Sequence, residues 1–368
     1  MLLTQLSIIN FKNYEEANLT FSDTINCFLG DNGGGKTNLL DAIYYLSFCK
    51  SYFNPIDSQN IKHEFPFFVV EGYFNKNNKK EVVYCGMKRG QKKVFKHNKK
   101  EYDRLSEHIG KIPLVIISPA DTSLITEGSE VRRKFIDGII SQYDSQYLNQ
   151  LINYNKALNQ RNLLLKSFWL NRNFDADSLE IWDNQLALYG EFIHETRKKF
   201  IFDFSPFFQE YYDLLSQKKE VVSLDYQSQL TNENFKTLLI ENLAKDRANH
   251  YSNIGIHKDD LIFNIGNHPI KKFGSQGQQK TYLLALKLAQ AALIQSIKKS
   301  EVTLLLDDIY DKLDNKRMTQ LLTIVGSNTF GQIFITDTSF VRIPSLLKKE
   351  NINFKAFKIK DGVIENEQ

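Results

Sequence analysis

The 368-residue sequence has little cysteine and no long apolar run, and both absences narrow what the protein can be. The three cysteines, Cys27, Cys49 and Cys85, are an odd number without C-x-x-C spacing, which argues against a disulfide framework or a zinc site. No apolar run approaches the roughly 18 residues that a transmembrane helix needs. The first residues lack the basic and apolar regions of a signal peptide. We therefore expect a cytoplasmic protein without membrane contact.

Internal repeats, low-complexity segments and sustained heptads are also lacking, which argues against a solenoid, a disordered chain or a long coiled coil. The content of 42% hydrophobic and 24% charged residues is ordinary for a globular protein. A chain of this length suggests about two or three domains. The net charge of +4 permits an anionic partner without requiring one, so the distribution of charge must decide.

A glycine-rich segment fits the P-loop pattern of two glycines five apart, the second followed by Lys and Thr. Its residues are Gly30, Asp31, Asn32, Gly33, Gly34, Gly35, Lys36 and Thr37. Residues 25–29 predict a buried strand before it, and residues 38–46 predict a helix after it. Glycines let backbone N–H groups converge on phosphates, and a helix that begins near Asn38 directs its dipole there. The segment predicts a nucleoside triphosphate site, with Lys36 on the β- and γ-phosphates and Thr37 on Mg²⁺.

A second part of the same site is predicted much later in the chain. Residues 303–306 form an apolar strand that ends in Asp307 and Asp308. In P-loop proteins such a strand delivers a carboxylate to the Mg²⁺, a role that fits Asp307. Asp308 would then orient or deprotonate the attacking water. Lys12, at the end of the first predicted strand, lies either near the nucleotide or exposed at the strand end.

Residues 67–74, 81–87 and 92–96 read as antiparallel strands that carry a strong positive charge. Between residues 76 and 104 there are eleven Lys and Arg residues against three acidic ones. Such a charge run is either a solvated face that protects a sheet edge or a surface that contacts nucleic-acid phosphates. The candidate phosphate contacts are Lys88, Arg89, Lys92 and Lys93.

The middle of the chain, from residue 129 to about 216, has helical periodicity and few prolines. It reads as an insertion within the nucleotide domain, because further signals of that domain follow it. His257 has no second His or Cys at ligand spacing, which favours a hydrogen-bonded structural histidine over a metal ligand.

Residues 282–297 predict a long apolar helix, and a short polar motif precedes it. The motif consists of Ser275, Gln276, Gly277, Gln278 and Gln279. It suits an ordinary helix N-cap, but it also resembles the signature motif of ABC-type ATPases. That resemblance implies that Ser275 reaches the γ-phosphate held by the opposite protomer. Residues 312–314 resemble the family's D-loop, with Asp314 as its acid. Residues 336–338 lack the switch histidine of transporter ATPases, so the γ-phosphate sensor is unassigned.

Taken together, these motifs resemble the bacterial RecF family over nearly the whole chain. The resemblance also rests on residues 11–14, 118–119, 160–162 and 255–260, and on the long interval between Gly30 and Ser275. The sequence departs from the usual pattern of the family at Gly34, Ile256 and Lys258. The implied fold is α/β: an ABC-type P-loop ATPase head, with a mixed sheet, an antiparallel subdomain and an inserted, mainly helical lobe. The expected divisions are 1–125 for the N-terminal ATPase lobe with its P-loop and basic hairpin, 126–270 for the helical lobe, and 271–368 for the signature helix and the C-terminal part of the core.

The resemblance to this family implies a slow ATP hydrolase that uses ATP and Mg²⁺ as a conformational switch in DNA repair and replication. It implies an ATP-dependent homodimer that binds single- or double-stranded, gapped DNA and loads recombinase together with RecO- and RecR-type mediators. The rival interpretation is an ABC-type ATPase that acts on protein partners or a transporter. In that case the basic hairpin is only a solvated face.

Overall fold

The computed structural model describes residues 1–217, 220–309, 315–326 and 329–367. Along these residues the strands are β1 (Leu2–Phe11), β2 (Tyr14–Thr20), β3 (Ile25–Leu29), β4 (Phe67–Lys76), β5 (Lys79–Lys88), β6 (Val94–His97), β7 (Lys100–Glu101), β8 (Leu114–Ile117), β9 (Val222–Gln227), β10 (Asp260–Ile265), β11 (His268–Pro269), β12 (Thr303–Leu306), β13 (Ile333–Asp337), β14 (Phe354–Lys360) and β15 (Val363–Glu367).

The α-helices over the same residues are α1 (Lys36–Phe48), α2 (Ser123–Thr126), α3 (Ser129–Tyr143), α4 (Ser145–Asn171), α5 (Ala176–Ser216), α6 (Phe235–Glu241), α7 (Leu243–Asn249), α8 (Ile270–Phe273), α9 (Gln276–Lys298), α10 (Asn315–Gly326) and α11 (Arg342–Lys349). Contacts divide the chain into two compact units. The first consists of residues 1–122, 211–217 and 280–368, and the second of residues 123–210 and 218–279. The three divisions expected from sequence stay a prediction.

The first unit contains a mostly parallel sheet in the order β15-β14-β3-β13-β12-β8. Strands β3, β8, β12 and β13 are buried along their whole length. Parallel strands covered on both faces are expected to be continuously apolar, which explains the short hydrophobic runs of the sequence. The carboxyl ends of β3, β12 and β13 lie side by side in register, so residues that follow these strands meet at one edge.

A second sheet of the first unit is antiparallel, in the order β2-β1-β4-β5-β6-β7. The basic segment lies on β4 to β7, as the predicted hairpins require. The sequence predicts a strand over residues 18–21, whereas strand β2 begins earlier, at Tyr14. The polar residues 13–16 suggest a turn, but Phe11 pairs with Tyr14 and closes the hairpin more tightly.

Aromatic rings fill the core of the first unit. Phe21 lies edge-on to Phe334 at 5.0 Å between ring centroids, and Phe28 lies 5.6 Å from Phe357. Such pairs add to the free energy gained by burying the rings. The high aromatic content of the sequence is therefore used to join strands of the parallel sheet.

Residues 129–216 form helices α3, α4 and α5, as predicted, and the second unit, which contains α5 up to residue 210, is mainly helical. Helix α4 is capped by the Asp144 carboxylate, which accepts a hydrogen bond from the Tyr147 amide at 2.9 Å. A small antiparallel sheet, β11-β10-β9, completes the unit. Within the described ranges, no helix is both long enough and apolar enough to cross a membrane.

Candidate nucleotide-binding site

The glycine-rich loop runs from the end of β3 into α1, as predicted. Gly33 and Gly35 have φ angles of 81° and 116°, a region that side-chain-bearing residues rarely adopt. A Cβ at Gly35 would also lie 2.6 Å from the Asn13 side-chain nitrogen. The backbone of the loop therefore favours glycine at both positions.

Hydrogen bonds to its carbonyls fix the loop from outside. The Gly34 carbonyl accepts from the Asn13 amide at 3.2 Å and from the Gly362 backbone N–H at 2.8 Å. The Gly35 carbonyl accepts from the Tyr14 hydroxyl at 3.1 Å. With these two carbonyls held, the orientation of the peptide groups that follow Gly34 and Gly35 is fixed by the protein, which is the preorganisation that phosphate binding by backbone N–H groups needs.

Lys36 is buried at the start of α1, and its ammonium donates to two backbone carbonyls of the loop. The distances are 2.7 Å to Gly30 O and 2.8 Å to Asp31 O. Burial lowers the pKa of Lys36, and the charges of Asp308 and Asp307 oppose that shift. The Lys36 ammonium is thus held by two neutral carbonyl acceptors, and a phosphate oxygen can take the place of either carbonyl.

The acidic strand meets the loop as predicted. The Thr37 hydroxyl donates to Asp307 Oδ1 at 2.8 Å, although 270 residues separate the two in sequence. Asp307 is buried, and burial raises the pKa of its carboxyl, with Asp308 adding to the shift. A hydroxyl and a carboxylate at this distance form an oxygen donor set of the kind that Mg²⁺ prefers. The residues present therefore fit a magnesium ion.

Thr336, at the end of β13, joins the two acids. Its hydroxyl donates to Asp307 Oδ1 at 3.0 Å and accepts from the Asp308 backbone N–H at 2.8 Å. Asp308 has a φ of 45°, in the left-handed region, and this conformation directs the chain sharply out of β12. Thr336 thus fixes both acids relative to each other.

Lys12 forms an ion pair with Asp41 of α1 at 2.6 Å between Nζ and Oδ2. Its ammonium also lies 5.4 Å from the centre of the Phe53 ring. The lysine side chain is 14% exposed, so the alternative of an exposed strand-end lysine is wrong. Its proximity to a nucleotide stays a prediction.

The signature segment begins α9 with a reciprocal cap. The Ser275 backbone N–H donates to Gln278 Oε1 at 2.7 Å, and the Gln278 backbone N–H donates to Ser275 Oγ at 3.2 Å. This is the capping-box pattern, so the interpretation of the segment as a helix N-cap is confirmed. Ser275 and Gln276 are exposed, and Gly277 is half-buried in the first turn of this 23-residue helix. Asp314 of the predicted D-loop lies outside the described residues.

The four candidate phosphate contacts separate into two groups. Lys88, Arg89 and Lys92 are exposed. Lys93 instead donates to the Asp57 carboxylate at 2.6 Å and to the Cys49 carbonyl at 2.6 Å. Its side chain is only 10% exposed. Lys93 therefore stabilises the fold at the base of the hairpin, and the proposal of phosphate contact rests on the other three.

His257 is held by two hydrogen bonds, as the structural interpretation predicts. Its Nδ1 lies 2.8 Å from the Tyr154 hydroxyl, and its Nε2 lies 3.1 Å from the Ser252 carbonyl. Burial lowers its pKa to about 4, so the ring is neutral near pH 7.

Comparison with known proteins gives a match along almost the whole chain. Residues 2–342 match the model of the RecF/RecN/SMC N terminal domain. The DNA replication and repair protein RecF of Flavobacterium johnsoniae is 52% identical over 98% of this chain and 100% of its own length. The chain belongs to the RecF family. The protein of the same name from Phocaeicola vulgatus is also 52% identical, over 99% of this chain and 98% of its own.

Solved structures of the RecF family have the same fold. The structure of the recombination mediator protein RecF with ATP, from the RecFOR pathway, superimposes with a TM-score of 0.89 at 30% identity, covering 99% of this chain and 97% of that one. The Smc head domain of Pyrococcus furiosus, at 19% identity, gives a TM-score of 0.57 over 100% of this chain and 96% of that one. The fold is thus an ABC-type ATPase head with an inserted, mainly helical lobe, as the sequence predicts.

Several residues of the site cannot be assigned to it from sequence motifs. Asn13, Tyr14 and Gly362 hold the loop, and Thr336 joins the acids, yet each is distant in sequence from the residue it contacts. Thr336 carries a local signal, because it lies near the end of an apolar strand at the place where transporter ATPases carry a histidine. Its polar side chain at that strand end could have been predicted to face the acidic pair.

Proposed function

We propose that this chain is an ATP-dependent DNA-binding protein of recombinational repair and replication, acting as an ATP-switched homodimer that helps to load recombinase at DNA gaps. The observation that carries the proposal is the contact between Thr37 and Asp307, which brings the two halves of an ATPase site together in a member of the RecF family. The solved relative is a recombination mediator protein that holds ATP and belongs to the RecFOR pathway. We extend ATP, and partners of the RecO and RecR type, to this chain.

The residues of the site divide the work of binding and hydrolysis. Lys36 exchanges its two carbonyl acceptors for the β- and γ-phosphates, while backbone N–H groups of the loop that are not donated to carbonyls bind the remaining phosphate oxygens. Thr37 and Asp307 hold Mg²⁺, which when bound neutralises phosphate charge. Asp308 accepts the proton of the attacking water. Thr336 keeps Asp308 and Asp307 in register through the two bonds described above.

The signature segment is proposed to act in a second copy of the chain. Ser275 is exposed at the N-terminus of α9, where backbone N–H groups and the helix dipole favour an anion. A γ-phosphate presented by the P-loop of another protomer is such an anion. Gln276, Gly277, Gln278 and Asp314 would complete that surface. ATP then bridges two protomers, and its slow hydrolysis releases them, so turnover times a switch.

Retention on gapped DNA tests the proposal against the rival ATPase that acts on protein partners. We expect the wild-type chain to be retained with ATP. Added salt should release it, because contacts with DNA phosphates displace counterions. Removal of ATP should also release it, because ATP is proposed to hold the two protomers together. Ser275→Arg is the matched variant: it should bind ATP as a monomer, because a bulky cation at the N-terminus of α9 repels the dipole and blocks the γ-phosphate. Equal retention with and without ATP, or normal ATP-induced dimers of the variant, would contradict the switch.

A further inference from the structure

A cavity of about 540 Å³ lies in the second unit, where α4 ends, the chain turns into α5, and α7 packs nearby. We call it the tip pocket and define it by its aromatic and polar lining residues. These are Phe168, Trp169, Arg172, Asn173, Phe174 and Arg247. The motifs that build the nucleotide site lie elsewhere in the chain.

One aromatic ring of the tip pocket, Trp169, is exposed, and the other two, Phe168 and Phe174, are half-buried. The Trp169 side chain is 57% exposed, although its indole lies 4.5 Å from the His250 ring. Phe168 and Phe174 meet edge-on at 5.3 Å between centroids. A large apolar ring left open to water at a helix end contributes little to folding. Its free surface can instead stack on a planar ligand.

The polar lining of the tip pocket is cationic. The Arg247 guanidinium lies 4.1 Å from the centre of the Phe174 ring, a cation–π contact that orients its plane. Arg172 is exposed at the end of α4, and among the described residues the lining contains no acid. The acid next to Arg247 in sequence, Asp246, is fully buried and bonded to Arg161 at 2.6 Å, so it does not neutralise the pocket.

The aromatic and cationic residues of the tip pocket together indicate the class of ligand that it would bind. An exposed indole beside arginines suits a flat, electron-rich ring that carries a nearby anionic group, which describes a nucleotide. In duplex DNA the faces of the bases are stacked on each other and cannot reach a protein ring. A base in a single strand has both faces available. We propose that the tip pocket binds an unstacked base of single-stranded DNA, with Arg172 and Arg247 near its phosphates.

The inference rests on the proposed DNA-binding function and sharpens it, because it places the single-stranded side of a gap at the helical unit. Trp169 offers a direct readout, since the chain contains 2 tryptophans. In a Trp182→Phe variant the tryptophan fluorescence comes from Trp169 alone. Titration with short oligothymidylate should quench it. An abasic oligonucleotide of the same length, which has the phosphates without the bases, should not.

Binding affinity gives a second measurement that does not depend on the Trp182→Phe variant. Trp169→Ala should weaken binding to gapped DNA about tenfold, because base–aromatic stacking is lost. It should leave ATP-dependent binding to continuous duplex unchanged. Leu170→Ala is the matched control, because Leu170 is the next residue and is 61% exposed but does not line the pocket.

Each outcome decides between the inference and the function on which it rests. Normal ATP-dependent duplex binding with no quenching and no effect of Trp169→Ala overturns the tip pocket and leaves the proposed function standing. Equal quenching by the abasic strand reduces the pocket to a phosphate contact and overturns base stacking. If the wild-type chain binds no DNA in any state of ATP, the proposed function itself has failed.

Discussion

Lys36 in the first unit and Arg161 in the second are both buried cations, but their partners differ. Lys36 donates to two backbone carbonyls. Arg161 donates to two carboxylates, at 2.5 Å to Asp183 and 2.6 Å to Asp246, and to the Ser252 hydroxyl at 2.8 Å. Neutral acceptors stabilise a buried charge less than carboxylates do, so an anion can replace the acceptors of Lys36 more easily than those of Arg161.

The first unit also contains a buried lysine that is fully paired, which shows that the difference is not a property of the unit. Lys287 lies 2.7 Å from Asp121, and both side chains are buried. In the second unit Arg197 likewise contacts Asp137 and Asp259. Buried charges with carboxylate partners hold the fold, whereas Lys36, which contacts carbonyls, is the buried cation that we propose binds a ligand.

Asp308→Asn should have the largest effect, on turnover alone. An amide cannot accept the proton of water, so hydrolysis should fall about a thousandfold while ATP binding persists. Single-turnover measurements and nucleotide titration separate the two steps. ATP-bound dimers should accumulate in size-exclusion chromatography. Wild-type turnover in this variant would assign the base to another residue.

Arg161→Ala should cost about 3–5 kcal/mol of unfolding free energy, because Asp246 is left buried without its cation. Chemical denaturation monitored by helical circular dichroism measures the change. Arg172→Ala is the control, since that arginine is exposed, and it should change stability by less than about 0.5 kcal/mol. If both variants lose the same stability, Arg161 is not a structural centre of the helical unit.

Lys36→Ala should show the opposite pattern. We expect ATP affinity to fall at least about a hundredfold, because the charged hydrogen bonds to two phosphates are removed. Stability without nucleotide should change by less than about 1 kcal/mol, since only neutral acceptors lose a partner. Calorimetric titration and denaturation test the two halves. A large drop in stability with unchanged affinity would reverse the comparison.

Thr336→Val should reduce turnover about tenfold, with a small change in ATP affinity. The valine has nearly the same shape but removes the hydroxyl that joins Asp307 to the Asp308 backbone. Thr336→Ser keeps the hydroxyl and should restore most of the rate. If serine does not rescue activity, the methyl group rather than the hydrogen bonds positions the acids.

The smallest effect is expected for exposed cations, which differ from the buried cations compared above in having water as their main partner. The triple replacement of Lys88, Arg89 and Lys92 by Ala should flatten the plot of log DNA affinity against log salt by about 0.9 for each duplex phosphate that the variant no longer neutralises. Affinity should fall equally on all DNA sequences. The matched control replaces the exposed Lys76, Lys79 and Lys80 at the other end of the hairpin. Equal slopes for both variants and the wild type would leave the hairpin as a solvated face.

The sequence predicts those parts of the fold whose signals are local. The loop from Gly30 to Thr37 and the strand that ends in Asp307 are each contiguous motifs, and the structure brings them together. The support of the loop could not be predicted in this way. Gly362 lies more than 300 residues from Gly34, and the bond between them uses backbone atoms that carry no residue signature.

The other differences between the prediction and the structure depend on which side chains are buried. Lys93 looks like its basic neighbours in sequence, but its side chain turns inward to Asp57. The tip pocket draws residues from the ends of α4 and α7, which are about 75 residues apart in sequence, so periodicity within one helix does not reveal it. Composition indicates that aromatic and basic residues are plentiful, and only the fold shows which of them meet.

The left-handed backbone of Asp308 limits which residues can replace it. Asp and Asn tolerate this conformation better than β-branched residues or alanine, because their short polar side chains bond locally. A change to Asn therefore tests chemistry with little change in shape. A change to Ala or Val would mix altered chemistry with a shifted chain at the end of β12. For anyone who needs the chain arrested with ATP, Asn is the replacement whose result can be interpreted.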